Sequence, residues 1–491
     1  MSLQIYDTKI GKKIPFTPLR DNHVRIYACG ITAYDFCHLG HARSALVFDM
    51  IVSYLRHSGY KVTFVRNFTD IDDKIINRAQ KQNTTCAELS QRFIDEFYID
   101  MKALKITPPD YEPRATEHIP EIIDIIEKLM TKGIAYQADG DVYFEVEKFP
   151  QYGSLSGRNL DDLKAGARIS INKIKKNPMD FALWKASKPG EPKWDSPWGE
   201  GRPGWHIECS AMSRKYLGDS FDIHGGGEDL VFPHHENELA QSEGASGKPF
   251  ANHWIHHAFV TIRDEKMSKS LHNFLTIREV LKRHQPEALR MMVFATHYRH
   301  PLDFSESGLR DAQTSVNRLY NCMAACAALT DGTESSKAVA TRAEIDKLRS
   351  LPDRFQEAMD NDFNTAQGLG CLFDAVKSIN RISQALPAPP AQADINLLRR
   401  GGADVTKLAQ IMGLLSQEPQ AYLAGYQEKH LTAVGMDKAE LNKLLEERIA
   451  ARQNKEWGRA DEIRDLLLAK NIELKDSQDG TAWYVAGDRG Q

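Results

Sequence analysis

The chain of 491 residues carries 63 Lys+Arg against 67 Asp+Glu, a formal net charge of -4, with 42% hydrophobic and 26% charged residues. This composition excludes wholesale disorder and any nucleic-acid partner held by a uniformly basic surface alone. The length points to about three domains at roughly 150 residues each, and the short apolar runs, interrupted for example at Asp49, exclude a membrane helix.

The start, Met1-Ser2-Leu3-Gln4, lacks the basic and apolar regions of a secretory signal, which gives a cytoplasmic expectation. Residues 24 to 29 read as a short buried strand ended by Gly30. Residues 40 to 57 then place Leu46, Val47, Met50, Ile51, Tyr54 and Leu55 at helical spacing, and residues 61 to 66 return to β-branched and aromatic character. This βαβ pattern predicts an α/β fold with a Rossmann-like, doubly wound parallel sheet, whose ligands lie at the carboxyl ends of strands. Helices follow over 87 to 104, closed before Pro108-Pro109, and over 119 to 130 with Pro120 in the first turn. Residues 134 to 205 differ: short strands such as 141 to 146, Gly and Pro turns and the basic stretch 173 to 176 read as an insertion. Alternation resumes after Gly204. From about Ser307 amphipathic helices dominate, as over 316 to 329 and 369 to 386, with a proline-rich loop at 386 to 391. Past Pro419, helices over 439 to 452 and 459 to 470 precede a terminal strand at 481 to 485. The expected division is thus an α/β domain over 1–306, a helical bundle over 307–418 and a small carboxyl-terminal domain over 419–491.

Four groups of residues could carry chemistry. His38-Leu39-Gly40-His41 sets two imidazoles around a glycine at a helix N-terminus, where backbone amides and the dipole favour a phosphate; helix capping is the plainer reading. Lys266-Met267-Ser268-Lys269-Ser270 brings two ammonium groups to a small polar segment, suited to charge on a transferring phosphoryl group or simply to a solvated turn. Gly225-Gly226-Gly227 leaves backbone open beside Asp229, a carboxylate able to accept ribose hydroxyls, although turns are the commonest use of glycine. Cys29, Cys209, His234 and Glu238 are metal-ligand types, the last two four residues apart. Against this, buried cysteines are ordinarily small hydrophobes, and no local Cys-x-x-Cys is present. The seven scattered cysteines suit a reducing compartment.

The order of the histidine and lysine motifs around a βαβ fold, ahead of a helical bundle, resembles the class I aminoacyl-tRNA synthetases. Cys29-Gly30, Asn67-Phe68-Thr69-Asp70-Ile71-Asp72-Asp73-Lys74, Gly204-Trp205-His206-Ile207-Glu208-Cys209, Phe232-Pro233-His234-His235-Glu236-Asn237-Glu238 and Trp457-Gly458-Arg459-Ala460-Asp461 together resemble the cysteinyl-tRNA synthetases almost from end to end. The resemblance implies one zinc ion per chain on Cys29, Cys209, His234 and Glu238. It implies ATP, with Mg2+, on His38, Gly40, His41, Gly225, Gly226, Gly227, Asp229, Lys266, Ser268 and Lys269, of which His38, His41, Lys266 and Lys269 are catalytic. Gly30, Thr69, Trp205 and His224 would form the cysteine pocket. The implied reaction is activation of L-cysteine to cysteinyl-adenylate with release of pyrophosphate. Transfer to the 2′-hydroxyl of the terminal adenosine of tRNA(Cys) would follow, on a monomer that touches no membrane and binds the anticodon with its final domain.

Two positions depart from the family: His272 stands where glycine is usual and Ile31 where many members have proline. Two other readings share these motifs, a zinc-dependent ligase passing cysteine to an amino-sugar and a non-catalytic RNA-binding protein with structural zinc. The long bundle and terminal domain argue against the first, and the complete set His38, His41, Lys266 and Lys269 against the second.

Overall fold

The computed structural model describes residues 2–158, 174–262, 265–266, 274–477 and 480–485. The chain divides into two compact units, one built from Met1–Ile277, His297–Asp303 and Met359–Asn364, the other from Arg278–Thr296, Phe304–Ala358 and Thr365–Gln491.

The first unit opens with a hairpin of β1 (Gln4–Asp7) and β2 (Lys12–Pro15), followed by β3 (His23–Thr32), α1 (Leu39–His57) and β4 (Lys61–Thr69). Val24, Ile26, Tyr27 and Ala28 are all buried, as is Arg25 between them, as expected of a parallel strand covered on both faces. The apolar positions of α1, from Leu46 to Leu55, are buried as well, each contributing about 1.5–3 kcal/mol. Next come α2 (Asp73–Gln82), α3 (Cys86–Ala103) and α4 (Ile119–Thr131), with Pro120 in the first turn of α4 as predicted.

Gly30 does not end the first long strand, as its sequence position suggested. β3 runs on to Thr32 through an irregular register against β4 between Ala28 and Ile31. A Cβ at Gly30 would lie 1.6 Å from the Asn67 carbonyl oxygen, so glycine here permits a close approach of two backbones within the strand.

The insertion contains β5 (Ala135–Ala138), β6 (Asp141–Phe144), β7 (Phe181–Ala186) and β8 (Gly201–Pro203), paired antiparallel in that order. Phe144 stacks on Phe181 with ring centroids 4.9 Å apart. The strand expected over 141 to 146 stops at Phe144, because Val146–Lys148 turns into a 3-10 helix. Lys173 of the basic stretch lies outside the described residues, whereas Lys176 pairs with Glu145 at 2.9 Å.

From β8 the chain enters α5 (Trp205–Leu217), then β9 (Phe221–Gly227), α6 (Glu236–Ser246), β10 (Ala251–His257), β11 (Val260–Ile262) and β12 (Glu265–Lys266), and later returns to this unit with β13 (Leu302–Asp303), which pairs with β11. Among the described residues the main sheet has the parallel order β10-β9-β3-β4. Successive connections leave β3 in opposite directions, so the crevice between β3 and β9 is the switch point at which such sheets hold ligands.

In the second unit, α7 (Ile277–Leu281, beginning at the boundary) and α8 (Pro286–Phe294) precede α9 (Glu306–Ala327), α10 (Arg342–Arg349), α11 (Leu351–Asp360), α12 (Thr365–Ala385) and α13 (Gln392–Gln410). α9 starts ten residues before the predicted 316, since Ser305 caps it by accepting a hydrogen bond from the Gly308 amide at 3.1 Å. The fully buried carboxylate of Glu287 accepts hydrogen bonds from the Tyr320 hydroxyl (2.8 Å), the Ser416 hydroxyl (2.6 Å) and the Leu415 amide (2.9 Å).

The carboxyl-terminal part of that unit holds α14 (Pro419–Ala433), α15 (Lys438–Gln453) and α16 (Trp457–Ala469), then β14 (Ile472–Ser477) and β15 (Gly480–Val485) in an antiparallel hairpin. Leu431, Met436, Leu441, Ile463, Leu467 and Ile472 form a small core of their own. β14 is an addition to the predicted elements. No described helix is long and apolar enough to cross a membrane.

Candidate functional site

A cleft of about 370 Å³ opens at the switch point of the sheet, with Cys29, Gly30, His38, Gly40, His41, Trp205, Gly227 and Asp229 in its lining. His38 is the N-cap of α1: its Nδ1 accepts a hydrogen bond from the Gly40 amide at 3.1 Å, and His41 Nδ1 accepts one from the His38 amide at 3.4 Å. The rings stack with centroids 3.7 Å apart. Helix capping is therefore one role of these imidazoles, and it fixes both on the wall of the cleft at a helix N-terminus that attracts anions.

The glycines of β9 divide their work. Gly227 lines the cleft with Asp229. Gly225 packs below it, where a Cβ would stand 2.3 Å from the Ile255 carbonyl oxygen and 2.7 Å from the Phe48 ring. β12 ends at Lys266 and pairs with β11, whose Val260 lines the cleft. Ser268, Lys269 and His272 lie outside the described residues.

At the floor, Cys29 of β3, Cys209 of α5, His234 of the irregular turn Val231–His235 and Glu238 of α6 bring their donor atoms within 4.8 Å of one another, all buried. Cys29 Sγ lies 3.7 Å from Cys209 Sγ and 3.2 Å from Glu238 Oε1, and His234 Nε2 lies 2.9 Å from the same oxygen. A tetrahedral ion with metal–sulfur bonds of about 2.3 Å would set its two sulfurs roughly 3.8 Å apart, so this spacing fits one ion with little movement. Burial penalises both thiolates, and their mutual hydrogen bond splits them, raising the Cys29 thiol well above its ordinary range and bringing Cys209 down to about 6. Burial likewise opposes charge on His234, but the Glu238 carboxylate outweighs it and holds the imidazole up at about 10. A mixed sulfur, nitrogen and oxygen set of this kind suits a borderline-soft divalent cation.

A second set, Cys29, His224, His235 and Glu238, overlaps the first. Its imidazoles take outer positions around the shared donors. His224 Nε2 lies 2.8 Å from Glu238 Oε2, the oxygen turned away from His234, and its Nδ1 lies 3.1 Å from the Tyr27 carbonyl oxygen. His235 Nε2 lies 3.2 Å from Cys29 Sγ, and its Nδ1 lies 2.7 Å from His256 Nε2. Partners of this type orient metal ligands.

Of the four residues expected around a small amino acid, Gly30 and Trp205 line the cleft, the latter 39% exposed with its ring 4.2 Å from that of His234. Thr69 and His224 stand behind it: the Thr69 hydroxyl donates to Glu208 Oε2 at 2.7 Å, and His224 is fully buried. The sequence reading missed Asn67, whose Oδ1 accepts from the Gly30 amide at 2.9 Å, together with His235 and His256. The density of His and Asn around 234–237 and 253–257 was the available signal, and the pairing of β9 with β10 is needed to use it.

Residues 15–314 match the family model of the tRNA synthetases class I (C) catalytic domain, and residues 354–416 match the DALR domain. The chain is 59% identical to the Cysteine–tRNA ligase of Desulfotalea psychrophila, with 99% of each chain covered. It is 53% identical to that of Geobacter sulfurreducens, over 99% of this chain and all of the relative. Among solved structures, Mycobacterium tuberculosis methionyl-tRNA synthetase in complex with methionyl-adenylate shares the fold with a TM-score of 0.60 at 16% identity, covering 85% of this chain and 94% of the other.

Proposed function

The chain belongs to the cysteine–tRNA ligases of the class I synthetases, and from that premise we propose how its residues divide the work of joining L-cysteine to tRNA(Cys). The observation that carries the reading is the buried set of two thiols, an imidazole and a carboxylate at the floor of a cleft whose wall is a phosphate-favouring helix N-terminus.

Zinc held by Cys29, Cys209, His234 and Glu238 supplies a Lewis acid that prefers sulfur to hydroxyl oxygen and lowers a thiol below its ordinary pKa of about 8.5. Gly30 and Trp205 shape the space above that floor to a small side chain, with Thr69 and His224 behind them. Shape alone separates near-isosteric substrates by only about 100-fold, so selection at the floor removes the need for an editing site in the insertion. Gly225, Gly226 and Gly227 with Asp229 receive the adenosine, and His38, Gly40 and His41 receive the phosphates of ATP, which enters with Mg2+.

The cysteine carboxylate attacks the α-phosphorus, the bond to the β-phosphate oxygen breaks, and pyrophosphate leaves. His38 and His41, with Lys266 and Lys269, stabilise charge on the phosphoryl oxygens, Ser268 belongs to the ATP site, and no protein nucleophile takes part. The terminal ribose hydroxyl of the tRNA then attacks the acyl carbon and AMP departs. The division into a catalytic domain over 1–306, a bundle over 307–418 and an anticodon-binding domain over 419–491, acting as a cytoplasmic monomer, completes the proposal.

The test is pyrophosphate exchange into ATP with cysteine, serine and methionine, on protein of assayed zinc content, beside Cys209→Ser. The expected result is cysteine-dependent exchange that falls with zinc loss and in the variant. Absence of exchange with zinc-loaded protein overturns the catalytic reading, and exchange favouring another amino acid overturns the role of the metal.

A further inference from the structure

We propose that Arg66 and Lys74, on the β4 side of the cleft, form a subsite for the 3′-terminal phosphodiester of the RNA acceptor. This rests on the ligase reading above and adds a location that reading leaves open. The cleft reaches across the sheet beyond the metal set. Gly227 ends β9 and Asp229 follows it, whereas Arg66 belongs to β4, on the other side of β3, and Lys74 to the first turn of α2.

Arg66 is only 7% exposed. Its Nη2 pairs with Glu112 Oε1 at 2.6 Å, and its guanidinium lies 4.8 Å over the Phe97 ring. Its Nε has no hydrogen-bond partner although it is buried. A buried donor on a cation is costly to leave unmet, and this one belongs to a side chain that lines the cleft. Lys74 is exposed and presents its ammonium 5.7 Å over the Tyr34 ring, also on the cleft wall.

A buried guanidinium donor, a nearby ammonium and an aromatic lip match a phosphodiester followed by a base. ATP does not require them, since its phosphates have their own helix N-terminus at His38, Gly40 and His41. Cysteine is committed by its sulfur to the floor. The remaining reactant is the end of the polynucleotide, which must bring a ribose hydroxyl over that floor from the side ATP leaves open.

The test uses full-length zinc-loaded protein with Arg66→Lys, which keeps the charge but loses the planar fork, and Lys74→Ala, an exposed change that folds normally. Three quantities are read: cysteine-dependent pyrophosphate exchange without RNA, single-turnover transfer from preformed cysteinyl-adenylate to a tRNA transcript, and equilibrium binding of transcripts with and without the terminal nucleotide. A charge-assisted hydrogen bond predicts about tenfold slower transfer in each variant with exchange within about twofold of wild type. The loss of affinity caused by deleting the terminal nucleotide should also shrink in both variants. Exchange falling in parallel with transfer overturns the proposal and assigns Arg66 to the amino-acid carboxylate or ATP. Unchanged transfer and an unchanged terminal-nucleotide effect overturn it too. Absence of exchange in wild type sinks the ligase reading instead, and the binding measurement still decides the subsite.

Discussion

Replacing Gly30 with alanine tests the coupling between the sheet and the metal set. The new Cβ would stand 1.6 Å from the Asn67 carbonyl oxygen, whereas a carbon–oxygen contact needs about 3.3 Å, so β3 and β4 must part by roughly 1.7 Å at this point. Overpacking of this kind costs about 1–3 kcal/mol. Losing the bond from the Gly30 amide to Asn67 Oδ1, now 2.9 Å, adds about 1 kcal/mol, for a total of about 2–4 kcal/mol. Cys29 adjoins the displaced residue and holds its sulfur 3.7 Å from that of Cys209, a spacing that does not survive such a shift. Metal affinity should fall by more than the 10–100-fold typical of an outer partner. Denaturant unfolding gives the first quantity and competition with a chromophoric chelator the second. Gly370→Ala is the control: it is exposed in α12 with nothing within 4 Å of the added carbon, and removing a mid-helix glycine should stabilise by up to about 1 kcal/mol. A Gly30→Ala protein with wild-type stability and wild-type zinc affinity refutes the reasoning.

Stripping the metal should lower the thermal midpoint, because an ion at 1,000 times its dissociation constant contributes about 4 kcal/mol to the folded state; equal midpoints with and without a chelator speak against a metal bound by the native fold. Glu287→Gln should destabilise the second unit by about 1–3 kcal/mol, since the amide nitrogen meets donors where a carboxylate oxygen accepted them, and chemical denaturation measures it. Asp476 is held well below the usual carboxylate range, chiefly by the Arg448 guanidinium, which reaches its two oxygens at 2.8 and 2.9 Å. A depressed folded pKa stabilises above the unfolded value of about 3.9, and that contribution is lost as pH falls through the folded value. The melting difference between wild type and Asp476→Asn should therefore be largest at neutral pH and shrink steadily as the medium is acidified below about 4. A gap independent of pH contradicts it.

The βαβ unit, the insertion and the helical bundle were legible because each announces itself by pattern: short apolar and β-branched runs for β3 and β4, short strands between Gly and Pro turns for the insertion, and helical spacing over α9 and α12. Gly30 misled because a glycine after an apolar run has the same look whether it ends a strand or admits a neighbouring backbone, and only the register with Asn67 separates the two. β14 was missed because Ile472 and Leu474 give just two apolar positions between charged residues. In the site, donor types could be chosen from the sequence, but their neighbours could not. His256 reaches His235 because β10 pairs it opposite Gly226 of β9, and no local spacing encodes that pairing.

The two ends of the metal set, Cys29 and Glu238, are 209 positions apart in the chain and 3.2 Å apart in space. Between them the polypeptide builds β4, the insertion, α5 and β9, and it is the return from β8 into α5 that delivers Cys209. A ribosome-bound chain therefore cannot assemble the four donors until Glu238 has left the exit tunnel and the insertion has closed behind it. Capture of an ion by this set would come no earlier than about the middle of synthesis, and its timing would report that the amino-terminal half has already found its topology.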